Sequence, residues 1–189
     1  MKKRCSWCES SDLYRAYHDE EWGVPLHDDQ QLFEFLTLEG FQAGLSWSTI
    51  LNKRQAFRDA FDGFDASKIA EYNDEKVTQL LQNPNIVRNQ LKIRAAIHNA
   101  KVYLALKEKH GSFDRYIWQF THYKTITNAW EHESDIPATS AISDAMSKRM
   151  KQDGFKFVGT TICYAFLQAI GVINDHIVTC YRYNELLNA

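Results

Sequence analysis

The apolar residues of this chain recur at intervals of three and four rather than two: Leu32, Phe35 and Leu36; Ile50 and Leu51 with Phe57 and Phe61; Val77, Leu80 and Leu81; Ile93, Ile97, Tyr103 and Leu104. That period gathers apolar side chains on one face of a helix and denies a half-buried strand the alternation it needs, so it constrains the fold more than any other feature. The punctuation agrees. Asp62-Gly63 and Gly171 read as C-terminal caps, and Ser67, Asp74 and Ser143 as N-caps. Pro25, Pro84 and Pro137 fall between helical patterns, with no run of strands, repeat or long linker. A chain of 189 residues can bury a sizeable core, and one all-α domain over 1–189 is expected.

Several function classes are excluded at this level. No stretch approaches the ~20 apolar residues of a membrane span, and MKKRCSWCESSD has no apolar signal-peptide core, so a cytoplasmic location without a membrane partner is expected. In a reducing compartment Cys5, Cys8, Cys163 and Cys180 read as thiols or metal ligands rather than disulfides. The formal net charge of −2 lacks the bulk basic footprint of a nucleic-acid binder, so any such binding must come from local patches.

The stretch LTLEGFQAGLSW, residues 36–47, sets one carboxylate, Glu39, in an apolar run. On a helix over 29–39, Glu39 shares a face with Leu32, Phe35 and Leu36, and Gly40 suits a C-cap. Burial and the helix dipole both push such a carboxyl upward. Two readings follow. Glu39 pairs with a buried cation or backbone amide, or it lines an apolar pocket with Trp7, Tyr14, Tyr17 and Trp47 and accepts hydrogen bonds from a planar ligand such as a nucleobase.

NDHIVTC places His176 and Cys180 four apart, one helical turn, and Cys5 with His18 supplies a second Cys/His pair. Two of each make a closed tetrahedral zinc set, structural rather than catalytic, that ties residues 1–18 to 171–181. A buried thiol beside an ordinary histidine is the alternative for each pair, and Cys8, completing a CxxC with Cys5, competes for the ligand role. His27, His98, His110, His122 and His132 read as solvated.

Residues 143–171 read as helix, short turn, helix, with Gly154 ending the first and Thr160 capping the second. GFKFVGT between them offers glycines, backbone amides and Lys156 at a helix N-terminus, a geometry suited to phosphate. Lys148, Arg149 and Lys151 flank it, and a second basic run, Arg88, Lys92, Arg94 and Lys101, follows Asn83-Pro84-Asn85. Two such patches bracket a duplex, although a charged helix face is usually only solvated.

Four segments in order, YHDEEWGVP (17–25), LEGFQAGLSW (38–47), GFKFVGTTICYAF (154–166) and GVINDH (171–176), make nearly the whole chain resemble the bacterial 3-methyladenine DNA glycosylase I family, within the helix-hairpin-helix glycosylases. The resemblance implies an all-α helix-hairpin-helix fold, one structural zinc per chain on Cys5, His18, His176 and Cys180, and excision of 3-methyladenine from alkylated double-stranded DNA by a monomer. It implies a base pocket of Glu39, Tyr17, Trp47, Trp7 and Tyr14, with Glu39 and Tyr17 hydrogen-bonding the base edge. It implies a DNA-wedging turn at Gly44 and Leu45, with Lys156, Gly159 and Thr160 as further DNA contacts. The wider superfamily carries a catalytic aspartate downstream of the hairpin. Asp175 lies near that position, but it adjoins a zinc ligand and the family is described as working without that group. Three other functions stay open on residues alone: a hydrolase with catalytic zinc, a module that binds alkylated DNA without cutting, and a helical protein with a small-molecule pocket.

Overall fold

Helix α2 (Asp29–Gln42) runs through the centre of the molecule, and every residue from Leu32 to Phe41 is buried. In the computed structural model, which describes residues 2–187, α1 (Asp12–Glu20) precedes it and α3 (Trp47–Ala60), α4 (Ala66–Ala70), α5 (Asp74–Gln82), α6 (Gln90–His110) and α7 (Phe113–Trp118) follow. Then come α8 (Ala141–Gln152), α9 (Thr160–Ala169) and α10 (Tyr181–Leu187). Four helices, α3, α6, α7 and α9, pack on α2, which is why its sequence has no polar stripe. The core is aromatic: Phe41 meets Phe57 at 4.8 Å between ring centroids, Phe33 meets Tyr103 at 4.8 Å, and Phe61 stacks on Phe64.

The helical expectation holds with four local corrections. Gly40 does not end α2, which continues to Gln42. The carbonyls that a glycine turn was expected to satisfy are instead met by the Lys92 ammonium, 2.8 Å from the Phe41 carbonyl and 2.5 Å from that of Ala43. The N-caps lie upstream of the residues read from sequence: Asp65 for α4, Asn73 for α5, Ser140 for α8 and Gly159 for α9. In the first three the earlier side chain reaches the first free amides, and Ser143 completes a capping box with Ser140. Asp62-Gly63 belongs to a short 3-10 turn, Asp62–Phe64, after α3 has closed at Phe61.

The fourth correction is a pair of two-residue strands. Ile126–Thr127 and Ile173–Asn174 pair in parallel, Ile126 with Ile173 and Thr127 with Asn174. Gly171, expected to close α9, sits at φ +72° just after the cap residue Ile170. A Cβ there would come within 2.3 Å of the Val24 carbonyl carbon, so only glycine lets the end of α9 lie on residues 23–26. The Gly23 and Leu26 amides donate to the Gln168 and Ile170 carbonyls across that contact.

Candidate functional site

A cleft of about 150 Å³ opens where α1, the start of α3 and the short turn Ser6–Cys8 face α2 and α9. All five residues expected to form a base pocket, Trp7, Tyr14, Tyr17, Glu39 and Trp47, line it. Trp7 lies 5.0 Å from Tyr14, and Tyr17 lies 5.5 Å from Trp47, ring centroid to centroid. Trp22, Gln42 and Gln168 also line the cleft and were missed. Gln42 carried a signal, being three residues after Glu39 on the same helix; Trp22 and Gln168 carried none that distinguishes wall from core.

Two polar atoms in this cleft are buried without a protein partner, Glu39 Oε2 and Trp47 Nε1. Glu39 is 3 % exposed, and burial alone pushes its carboxyl up to about 8. Five residues earlier on α2, the buried Glu34 takes two bonds from Arg58, at 2.9 and 2.8 Å. One helix thus holds an acid paired with a cation and an acid without one, and the reading in which Glu39 pairs with a buried cation fails. The Tyr17 hydroxyl is held well above its ordinary range, by burial first and the Glu39 carboxylate second, and so stays a donor. The cleft offers aromatic faces, an indole N–H, a phenol and one carboxyl, which suits a single planar ring system with donors on its edge.

The turn joining α2 to α3 lies beside this cleft. Gly44 adopts φ +79° with nothing within 4 Å of where a Cβ would stand, and Leu45 is 42 % exposed. The Leu45 amide donates to the Gln42 carbonyl and Ser46 caps α3, so the turn is ordered and presents an apolar side chain outward.

The Cys/His set converges. One ligand atom from each of Cys5, His18, His176 and Cys180 lies within 4.8 Å of the other three, and all four residues are buried. His18 is oriented by Asp19 (Nδ1 to Oδ1, 2.8 Å), whose second oxygen takes Arg4, and His176 by the Trp22 carbonyl (Nε2 to O, 3.0 Å). Each imidazole therefore turns its remaining nitrogen to the cluster, the arrangement metal-ligating histidines adopt. Hydrogen bonds from Cys5, His176 and His18 hold the Cys180 thiol far below its usual range, while Cys5 moves the other way. Cys8 stands outside this set, its Sγ donating to the Cys5 carbonyl at 3.1 Å. His176 and Cys180 are not set one helical turn apart. Residues 175–180 are not helical, and a turn in which the Cys180 amide donates to the Ile177 carbonyl brings the two side chains together.

Asp175 is fully buried and lies outside the cleft lining. Its Oδ1 accepts from Asn128 Nδ2 and Trp130 Nε1, at 2.7 and 2.8 Å, and its Oδ2 from Tyr164 and Gln168, at 2.6 and 2.8 Å. With four donors in place it holds α9 to the segment after the first strand and has no free lone pair for a water. In the hairpin, Lys148, Lys151 and Lys156 are exposed, whereas Arg149 pairs with Asp153. The Thr160 hydroxyl is taken by Asp144 and Ser143, leaving only backbone amides of residues 160–162 at the head of α9. The second basic run breaks up. Lys92 is buried and Arg94 pairs with Asp74. Of the histidines read as solvated, His110 is half-buried against Tyr116, and His98 bonds the Gly154 carbonyl.

These features define a helical protein with a cleft for one planar ring, an unpaired acid inside it, and an exposed apolar turn at its edge. A family model described as methyladenine glycosylase matches residues 7–183, and the chain belongs to that family. It is 46 % identical to DNA-3-methyladenine glycosylase 1 of Escherichia coli over 181 residues, covering 96 % of this chain and 97 % of that one. It is 42 % identical to DNA-3-methyladenine glycosylase of Haemophilus influenzae over 180 residues, covering 95 % and 97 %. A structure of 3-methyladenine DNA glycosylase I from Staphylococcus aureus, determined for its recognition of 3-methyladenine, superposes with a TM-score of 0.91 at 36 % identity, covering 94 % of this chain and 95 % of that one.

Proposed function

We propose that this protein excises 3-methyladenine from alkylated double-stranded DNA, as its relatives are named for doing, and leaves an abasic site. The observation that carries the reading is Glu39: an acid buried in an aromatic cleft with one oxygen unpartnered. Such a group costs stability in the empty protein and is repaid only by a ligand that brings donors or positive charge. A base methylated at N3 and still attached to DNA is cationic, whereas adenine is neutral.

The chemistry asks little of the protein. The target cannot be reached inside a duplex, so it is flipped into the cleft, with Leu45 filling the gap it leaves. Tyr17 and Glu39 hydrogen-bond the base edge, Trp47 stacks on the electron-poor ring, and Trp7 and Tyr14 complete the wall. The bond between C1′ and N9 breaks with its electron pair going to the base, which departs neutral. A water oxygen joins C1′ and its proton passes to solvent. No lysine lies in the cleft lining, so the enzyme is monofunctional. Residues 143–171 act as the helix-hairpin-helix, with Lys156 and the amides of Gly159 and Thr160 meeting backbone phosphate.

The Cys5, His18, His176 and Cys180 set fits zinc by donor type and by the orientation of both imidazoles. Holding zinc, these four residues would supply all four donors themselves and would tie the first residues to those before α10, a structural rather than a catalytic role. The test of function is chromatographic: incubate the protein with methylated duplex and identify the bases released, with Glu39→Gln as control. Release of 3-methyladenine but not 7-methylguanine, slowed in the variant, is expected. Tight binding to alkylated duplex with no free base would replace the enzyme by a damage-binding module.

A further inference from the structure

Lys92 and Asn99 stand seven residues apart on α6, two turns, so they share a face with about 10 Å between them along the axis. Both are polar and buried, at 9 % and 6 % exposure, and neither touches the cleft. What they hold is backbone. The Lys92 ammonium accepts no bond and donates two, to the Phe41 and Ala43 carbonyls at 2.8 and 2.5 Å, where α2 ends and the turn bearing Leu45 begins. The Asn99 amide donates to the Lys156 carbonyl at 2.9 Å and accepts from the Lys156 amide at 2.8 Å, a two-point grip on the hairpin loop. His98, one residue earlier, adds a bond to the Gly154 carbonyl at 2.8 Å.

Both loops need such a grip. Gly44, Gly154 and Phe157 all have positive φ, at +79°, +102° and +54°, and neither loop has a ladder of its own to fix it. They meet α6 across a nearly filled junction. The gap between α2, α6 and Phe157 is only about 10 Å³, and a Cβ added at Gly40 would stand 3.5 Å from that of Phe157, in ordinary contact. A helix of 21 residues is stiff on that length scale, so the separation of the two loops is set by the register of one rod.

We propose that α6 is the gauge that fixes the apolar turn relative to the hairpin, with Lys92 and Asn99 as positioning residues for the handling of duplex DNA. The inference rests on the function proposed above. To open a duplex, an apolar wedge must enter the stack while the hairpin holds backbone phosphate, and both must be right at once. Loss of either grip leaves the base cleft intact and spoils the opening.

The test uses Lys92→Met and Asn99→Leu, which keep shape and remove donors, with Lys92→Gln as the conservative variant that keeps an N–H donor group without the charge. Three quantities are read: binding of free 3-methyladenine by tryptophan fluorescence, excision from methylated duplex, and the ratio of affinities for a duplex carrying one abasic-site analogue and for the same duplex undamaged. Free-base affinity is expected to stay within about twofold, while the affinity ratio and the excision rate each fall roughly tenfold, the equivalent of one charge-assisted hydrogen bond. Lys92→Gln should recover part of the loss. A merely structural role lowers free-base binding and duplex handling together, and that result overturns the inference, as does an unchanged affinity ratio in folded variants. If Lys92→Met is too unstable to purify, Lys92→Gln and Asn99→Leu carry the same comparison. A wild-type protein that neither excises nor prefers the abasic duplex overturns the glycosylase reading itself, which separates the two failures.

Discussion

The base cleft and the Cys/His cluster lie side by side, sharing α1, and they treat buried polar groups in opposite ways. The groups that orient the cluster are answered: Asp19 accepts from His18 and Arg4, His176 donates to the Trp22 carbonyl, and neighbouring Asp175 accepts from four donors. In the cleft a carboxyl oxygen and an indole N–H, equally buried, have no protein partner. The two regions even touch, Trp7 lying 5.2 Å from His18. The difference lies in the carboxylates: Asp19 and Asp175 are held by donors and serve the scaffold, whereas Glu39 keeps an oxygen for a ligand.

That contrast is breakable from either side. The largest effect is expected at the cluster, where His176→Ala should abolish zinc binding, measured as bound metal per chain, and lower stability by several kcal/mol. Retained stability without metal would remove the scaffold reading. Next, Asp175→Ala strands four donors and should cost about 3 kcal/mol or more in urea unfolding. A loss confined to activity would make Asp175 a functional group after all.

From the cleft side the sign reverses. The folded Glu39 carboxyl, raised to about 8 from an ordinary 4.5, keeps a proton that the unfolded chain gives up between those values. The wild type should therefore lose stability as pH climbs from 4.5 towards 8. Glu39→Gln carries no such titration, so it should be the more stable protein at pH 8 by about 2 kcal/mol or more, with the gap closing near pH 5, while excision slows. Equal stability at both pH values would mean that the acid has a partner. Trp47→Phe keeps the stacking face and removes the N–H. It should weaken free 3-methyladenine binding by about 1 kcal/mol without destabilising the fold. Smallest in stability is Leu45→Ala, within about 0.5 kcal/mol because the side chain is exposed, although excision from duplex should fall. A stability loss well beyond that would make Leu45 a packing residue.

How much of this could be read in advance follows from how local each determinant is. Helix positions were legible because burial repeats with the helical period, and Glu39 stood out because it broke that pattern. The Cys/His set was legible from residue type, though for a reason partly mistaken, since a turn and not a helix joins His176 to Cys180. Cap positions slipped by one to three residues because Asp65, Asn73 and Ser140 outcompete the later residues for the same amides. Pairing of Ile126 with Ile173 left no trace, since two residues are too few for a period. Lys92 was read as a surface cation for want of any local sign that a helix end lay over it. Long-range contacts of backbone with side chain are what residue patterns do not encode.

The joining of Cys5 and His18 to His176 and Cys180 also orders events during synthesis. A ribosome adds residues in chain order, so Cys5 and His18 emerge before their cluster partners, more than 150 positions downstream. Until residue 180 clears the exit tunnel, the cluster that Trp7 packs against is incomplete. A nascent chain therefore lacks a finished cleft, because Ala165 and Gln168 of its lining and the far half of the Cys/His cluster beside it arrive last.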